Sequence, residues 1–298
     1  MTSRFRLNGL IIGVVVGLGI FFFFGSSLQK SVRSNLSQML DCPSMKSERY
    51  VTMGNYQGLD QEDPALIHFI RVLMRPPSTK PYNLRSPGKK YFTMGYISKY
   101  VGNLFGPGKR KGFFVEVGAN DGETSSVTMY LERELGFNGL LIEGSPRLYE
   151  QVVKKERKAY SIQAALSPTR TSEELLFAGG GQQGHLVDEK SKNSILVPAF
   201  PFYSILRAIN VSFIDVFSLD IEGFEYKVLK TIPFEKIKVG VFVVEYTLMS
   251  EPREEMVEFM DRLGYKKIHD NKMDYVFADP DYLRKLPGWN SQQQKKIR

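Results

Sequence analysis

Apolar positions along the chain fall into three regimes. From Leu7 to Leu28 they run on without a charge, from residue 29 to about 60 they thin out, and from about residue 91 they return as short runs between polar, glycine-rich turns. The first regime, "LNGLIIGVVVGLGIFFFFGSSL", would reach roughly 33 Å as a helix at about 1.5 Å per residue, enough for a bilayer core. Arg4 and Arg6 precede it, and Lys30 and Arg33 follow. The pattern predicts an N-terminal transmembrane helix, a signal anchor, within residues 1–28. A cleaved signal peptide with Gly25-Ser26-Ser27 at its cleavage site is the competing reading, and the length of the run favours the span. Gly9, Gly13 and Gly17 share one helix face and would let two such helices approach, a route to a homodimer, although glycine is also common in spanning helices. A short tail with two arginines suits a cytoplasmic N-terminus. The expectation is a single-pass type II membrane protein of the endoplasmic reticulum or Golgi with a lumenal bulk domain. The N-x-Ser triplets at Asn35 and Asn210 are compatible with that.

Residues 29–90 read as a stem with a short helical extension. In "DPALIHFIRVLMRPPS", Asp63 is the predicted N-cap and Pro64 falls in the first turn. Leu66, Ile67, Ile70 and Met74 form an apolar face, and Pro76-Pro77 ends the helix. From residue 91 to 285 the pattern alternates. "GYISKYVGNLF" predicts a helix, "GFFVEVG" a strand, "SSVTMYLEREL" a helix, "NGLLIEGSP" a strand and "PRLYEQVVKKERK" a helix. "YSIQAALS" and "ELLFAG" predict strands, then comes a loop, "GGGQQGHLVDEKSKNS", and "ILVPAFPFYSILRAI" as part strand and part helix. "FIDVFSLDIEG" and "VGVFVVEYT" predict central strands, and "FEYKVLKTI" and "PREEMVEFMDRLG" helices. "YKKIHDNKMDYVFAD" predicts two strands joined by a polar turn. Strands of continuous apolar residues alternating with helices imply a parallel sheet covered on both faces, and the closing pair implies an antiparallel edge. Residues 286–298 form a basic tail.

Composition changes this picture only at its margins. The net charge of +8 is spread over separate clusters, such as Lys89-Lys90, Lys154-Lys155 and Lys266-Lys267, rather than one basic face. No nucleic-acid partner is expected from that distribution. A single cysteine, Cys42, excludes an internal disulfide and a cysteine-ligated zinc site, and no metal site is expected.

The candidate chemistry lies at the strand ends. In "FFVEVGANDGETSS" an apolar strand carries Glu116 and then breaks into Gly118, Asn120, Asp121 and Gly122. In doubly wound sheets ligands bind beyond the carboxyl ends of the strands, where glycines permit close backbone approach. The spacing is G-x-x-x-G rather than the dinucleotide fingerprint, and the turn is loaded with acids, so a phosphate is disfavoured. A cationic, phosphate-free nucleoside cofactor, S-adenosylmethionine, fits better. Glu143 ends the next strand and could accept both hydroxyls of a ribose, with Gly144 and Ser145 leaving room for the base. Asp220 ends a later strand and suits the methionine ammonium or the acceptor. Glu222 is a candidate base or a structural acid paired with a backbone amide or Lys227, and His185 is a candidate base in a glycine-rich, lid-like loop. The strand end reads Asp-Ile-Glu-Gly, not the Asn/Asp-Pro-Pro-aromatic of nucleobase amino-methyltransferases.

"FFVEVGANDGETS", "LLIEGSP" and "FSLDIEGFEYKVL" resemble the signature segments of FkbM-type methyltransferases over residues 91 to 280. The resemblance implies a Rossmann-like, seven-stranded methyltransferase sheet, mostly parallel with a reversed last strand. It makes Glu116, Gly118, Asn120, Asp121 and Gly122 the methionine-side turn and Glu143 the ribose acid. Asp220, Glu222 and Glu225 fall in the family's acidic segment. The implied activity is O-methylation of a sugar or other small-molecule acceptor. The order of anchor, stem and core is also similar to a membrane-anchored branch, the Star-like proteins of arthropods. These imply a non-catalytic role in exporting membrane-protein cargo from the endoplasmic reticulum to the Golgi. "GGGQQGH" departs from the serine-rich segment found at that place in many members.

Overall fold

The computed structural model describes residues 4–7, 10–13, 51–93, 96–107, 111–178, 185–187 and 194–289, the segments 4–7, 10–13 and 185–187 by their backbone. Residues 1–48 and 49–298 are separate compact units. In the first, β1 (Arg4–Leu7) and β2 (Leu10–Gly13) pair antiparallel, with Leu7 opposite Leu10. This corrects the helix expected from Leu7 onward. Among the described residues no helix is long and apolar enough to cross a membrane. A continuous apolar run does not by itself separate helix from strand. Here the Asn8-Gly9 dipeptide lies between the paired residues and is a strong hairpin signal. The β-branched Ile11 and Ile12 favour extended backbone. The rest of the expected span, residues 14–28, lies outside the described residues, as do Cys42 and the basic tail from residue 290.

The second unit is built on seven strands: β3 (Phe113–Val117), β4 (Asn138–Glu143), β5 (Tyr160–Gln163), β10 (Phe213–Leu219), β11 (Lys238–Glu245), β12 (Lys266–Asp270) and β13 (Asp274–Ala278). Their spatial order is β12-β13-β11-β10-β3-β4-β5. Neighbours from β11 through β5 are parallel; β13 is antiparallel to both β11 and β12. The reversed last strand expected from the resemblance is therefore β13. Fully buried Phe114, Val115, Leu140, Val216, Phe217, Val241 and Phe242 explain why the central strands read as unbroken apolar runs: both faces are covered.

One face is covered by α1 (Pro64–Leu73), α5 (Phe202–Ala208), α6 (Glu225–Leu229) and α7 (Arg253–Arg262). The other is covered by α2 (Ile97–Phe105), α3 (Met129–Leu135), α4 (Pro146–Lys154) and α8 (Pro280–Leu283). The helix of the extension forms as expected: Asp63 caps it by accepting from Ala65 N at 2.8 Å, and Leu66 and Ile70 are fully buried. The crossovers from β3 to β5 run on one face and those from β10 to β12 on the other. The winding therefore reverses between β3 and β10, the position where such sheets bind ligands.

A second, four-stranded sheet in the order β6-β9-β7-β8 was not expected as a unit. It comprises β6 (Ala165–Leu166), β7 (Glu173–Ala178), β8 (His185–Val187) and β9 (Ile195–Phe200). It follows β5 directly and brings Phe177 and the Ala164–Leu166 segment over the carboxyl end of the large sheet.

Candidate functional site

Register sets the site. Ile142, Val117, Leu219 and Val244 form one row across β4, β3, β10 and β11. The next residues on those strands are Glu143, Gly118, Asp220 and Glu245, and Asp274 of β13 lies opposite Glu245. Four acids and one glycine thus share the edge where the winding reverses. A cavity of about 210 Å³ opens there. Its walls include Gly118, Asn120, Glu143, Phe177, Asp220 and Glu222, with Ile142 and Leu148 supplying apolar surface.

The bend after β3 is held by the backbone. The amides of Gly118 and Ala119 both donate to Ile142 O, at 3.0 and 3.1 Å. Gly118 has φ +78°, and a Cβ on it would stand 1.9 Å from the carbonyl oxygen of Asp220. Only glycine allows β3 and β10 to close to this distance. Glu143 turns its carboxylate toward the bend: Oε2 accepts from Asn120 N and Oε1 from Ser145 N, each at 2.8 Å. The group is 5% exposed. Burial pushes its carboxyl up to about 7, against the pull of those two N–H groups.

Two strands away, roughly 10 Å at ordinary strand spacing, Asp220 opens to solvent at the cavity wall. Its carboxyl is also raised, first by the crowding of protein around it and then by the charges of Glu222, Glu245 and Glu225. Water reaching the exposed side chain tempers that rise. Among the described residues, Asp220, Glu225 and Glu245 each place a carboxylate oxygen within 4.8 Å of the others, a donor set that could hold a metal ion. Glu225 accepts from Ile221 N at 2.7 Å and from Gly223 N, and burial raises it to about 7.

The methyltransferase FkbM domain model matches residues 116–267, just over half of the chain. The chain belongs to the FkbM methyltransferase family. S-adenosylmethionine is the cofactor that goes with membership of the FkbM family, and the cavity suits it. The Glu143 carboxylate could accept ribose hydroxyls, Ile142, Leu148 and Phe177 offer apolar surface, and the charged residues among the lining are acids. No curated protein sequence matches the chain. Among solved structures the chain is similar to a TehB-like SAM-dependent methyltransferase from Corynebacterium glutamicum ATCC 13032 Kitasato (13% identity, 66% of this chain and 92% of that one, TM-score 0.36). It is similar also to a precorrin-6y C5,15-methyltransferase from Geobacter metallireducens GS-15 (12% identity, 66% and 91%, TM-score 0.38). A third is M. capricolum TrmK in complex with S-adenosyl-homocysteine (9% identity, 62% and 68%, TM-score 0.34).

In this FkbM chain the sequence-expected residues divide into two groups. Gly118, Asn120, Glu143, Asp220 and Glu222 meet at the cavity. Glu116, Asp121, Gly122 and Ser145 do not line it. Glu116 is enclosed by four donors: Ser126 Oγ, Val127 N, Thr128 N and Thr128 Oγ1. Asp121 accepts from Glu123 N, Thr124 N and Thr124 Oγ1, and pairs with Arg85. Burial acts to raise its carboxyl, but those Thr124 and Glu123 bonds and the Lys155 charge hold it below the usual range. Gly122, at φ +79°, packs against Val152 of α4, and Ser145 caps α4 by accepting from Leu148 N. The backbone of His185 lies in β8 opposite Ala178 rather than in an open loop.

Glu245 and Phe177 were missed. Glu245 ends a strand in an acid just as Glu143 and Asp220 do, so the same rule applied to "VGVFVVE" would have found it. Phe177 had no local signal, because it reaches the cavity only through the second sheet.

Proposed function

We propose that this FkbM-family chain transfers a methyl group from S-adenosylmethionine to a hydroxyl of a sugar or other small acceptor. The observation that supports this most is Glu143: a buried carboxylate held over the Gly118–Asn120 bend at the point where the winding reverses. Bound S-adenosylmethionine supplies an electrophilic methyl on a sulfonium. The carboxylate of Glu143 takes the ribose hydroxyls. Gly118 keeps the wall free of side-chain atoms, and Ile142, Leu148 and Phe177 give the base an apolar seat. The acids on β10 and its turn favour a cationic ligand and supply a proton acceptor. Glu222, at φ +59° in the Asp-Ile-Glu-Gly turn, lines the cavity and is the base we assign to the acceptor hydroxyl. The absence of an Asn/Asp-Pro-Pro-aromatic strand end favours a hydroxyl over a nucleobase amine.

Calorimetric titration of the full chain with S-adenosylmethionine and S-adenosylhomocysteine tests the reading. We expect micromolar binding of both, lost on Glu143→Ala in a variant that keeps its circular dichroism. No heat with either ligand at millimolar concentration would refute the assignment and leave the fold as a non-catalytic module.

A further inference from the structure

Beside the cavity, one oxygen has no partner. Glu245 is 5% exposed; its Oε1 accepts from Thr247 N at 2.6 Å and from the Thr247 hydroxyl, while Oε2 is buried and makes no hydrogen bond. A buried carboxylate oxygen without a donor is costly when charged. Its carboxylate is one of the three whose oxygens gather within 4.8 Å, with Asp220 and Glu225. Among the described residues no cationic side chain forms an ion pair with Asp220, Glu225 or Glu245, and Glu225 accepts from the backbone N–H groups of Ile221 and Gly223. Asp274, paired in register with Glu245, adds a fourth carboxylate to the neighbourhood and is bonded to Asn271.

Resting on the methyltransferase reading, we propose that Asp220, Glu225 and Glu245 form a divalent-cation site at the acceptor side of the cavity. The donors are all hard carboxylate oxygens, which suits Mg²⁺, Mn²⁺ or Ca²⁺ rather than a thiophilic metal. The placement is asymmetric. Glu225 and Glu245 are buried and fixed, by Ile221 N and Gly223 N in one case and Thr247 in the other, whereas Asp220 faces the cavity. A cation held by the buried pair would therefore offer open positions on the Asp220 side, toward the acceptor. Coordination there makes a hydroxyl more acidic. The transfer then balances simply: the acceptor O–CH3 bond forms, the S–CH3 bond breaks with its electron pair left on sulfur, and the hydroxyl proton passes to a base. Acceptors with two adjacent oxygens, such as a vicinal diol of a sugar, suit such a cation best.

The rival explanation of the cluster is a shared proton, with Glu225 donating to Glu245 Oε2. Titration of the full chain with Mn²⁺, read by the free-ion electron paramagnetic resonance signal, separates the two. We expect one Mn²⁺ per chain with a dissociation constant below about 1 mM, weakened at least about tenfold in Glu245→Gln and in Glu225→Gln. In Glu245→Gln the amide can donate where Oε2 had no partner, so that variant should stay folded. Glu225→Gln provides a second reading. No saturable Mn²⁺ binding to the wild type, or unchanged binding in both variants, overturns the cation site in favour of the shared proton. A parallel titration with S-adenosylhomocysteine in the absence of metal keeps the two readings apart. If S-adenosylhomocysteine binds and Mn²⁺ does not, the cation site falls and the methyltransferase reading stands. Mn²⁺ binding without cofactor preserves the cation site and removes the reading on which its catalytic role rests.

Discussion

Glu143 gives the sharpest numerical test, because its burial and its proposed ligand pull its proton in opposite directions. In the folded chain the carboxyl is raised from 4.5 to about 7 by burial. The neutral form is thus favoured by folding: the contribution to stability is complete below about pH 4.5 and is lost as pH rises through about 7. The size of the effect is about 3 kcal/mol, at 1.36 kcal/mol for each tenfold change in proton affinity. Ribose hydroxyls donate to the charged form, so cofactor binding expels the proton. With a carboxyl at about 7, about one tenth of the free protein is ionised at pH 6. Affinity for S-adenosylhomocysteine should therefore fall about tenfold between pH 8 and pH 6 and level off above 8. Calorimetry in two buffers of different ionisation enthalpy should count the released proton directly. Glu143→Gln isolates the term, because Asp220 and Glu225 are also raised and titrate in the same region. The variant should bind about 10- to 100-fold more weakly, the worth of a hydrogen bond to a charged acceptor, and lose the slope that distinguishes it from the wild type. Affinity that is flat from pH 6 to 8, or an identical slope in wild type and Glu143→Gln, would refute the placement of the ribose on this carboxylate.

Three further outcomes follow from the packing. Gly118→Ala places a Cβ against Asp220 O at a positive φ. We expect a loss of roughly 2–5 kcal/mol in urea unfolding, combining left-handed backbone cost and overpacking; a loss under about 0.5 kcal/mol would contradict the close approach of β3 and β10. Asp121→Asn should cost about 1–3 kcal/mol of stability while leaving S-adenosylhomocysteine affinity nearly unchanged, since Asp121 serves Thr124, Glu123 and Arg85; the converse pattern would return Asp121 to the cofactor site. Arg157 and Glu132 form an ion pair at 2.8 Å with side chains 2% and 0% exposed. Glu132→Gln should destabilise by about 3–5 kcal/mol because it leaves a buried guanidinium uncompensated, and a melt within experimental error of wild type would show that water or another group compensates it.

The large sheet was legible because its chemistry is written in short range. Strands covered on both faces read as apolar runs, and Asp63, Pro64 and the Pro76-Pro77 pair mark helix ends by local rules. Glu143 and Asp220 in the row of acids were legible for the same reason; Glu245 and Asp274 were not singled out. Three things were not legible. The second sheet pairs short strands such as β7, whose residues are mostly half-buried, so no strong alternation marks them. The N-terminal run is apolar throughout, so its period does not choose between helix and hairpin. The fates of Glu116 and Asp121 depend on donors brought by Ser126, Thr128 and Arg85, contacts that spacing does not reveal.

That last failure separates structural from ligand-facing acids. A carboxylate offers about four lone-pair positions. Glu116 fills all four with donors from the start of α3, and Asp121 fills its own with a turn and an arginine. Neither retains capacity for a ligand, however close to the glycine bend it lies in sequence. Glu143 accepts two backbone N–H groups, one on each oxygen, which fixes its orientation and leaves two positions for a diol. Glu245 is satisfied on one oxygen and open on the other, and Asp220 accepts no hydrogen bond among the described residues. Glu116 and Asp121, whose lone-pair positions are filled, do not line the cavity, whereas Glu143 and Asp220, which keep capacity, do. The agreement has a physical cause: a buried carboxylate without a ligand must be satisfied by its own fold, and one that is only half satisfied is stable there only if a ligand, a cation or a proton completes it.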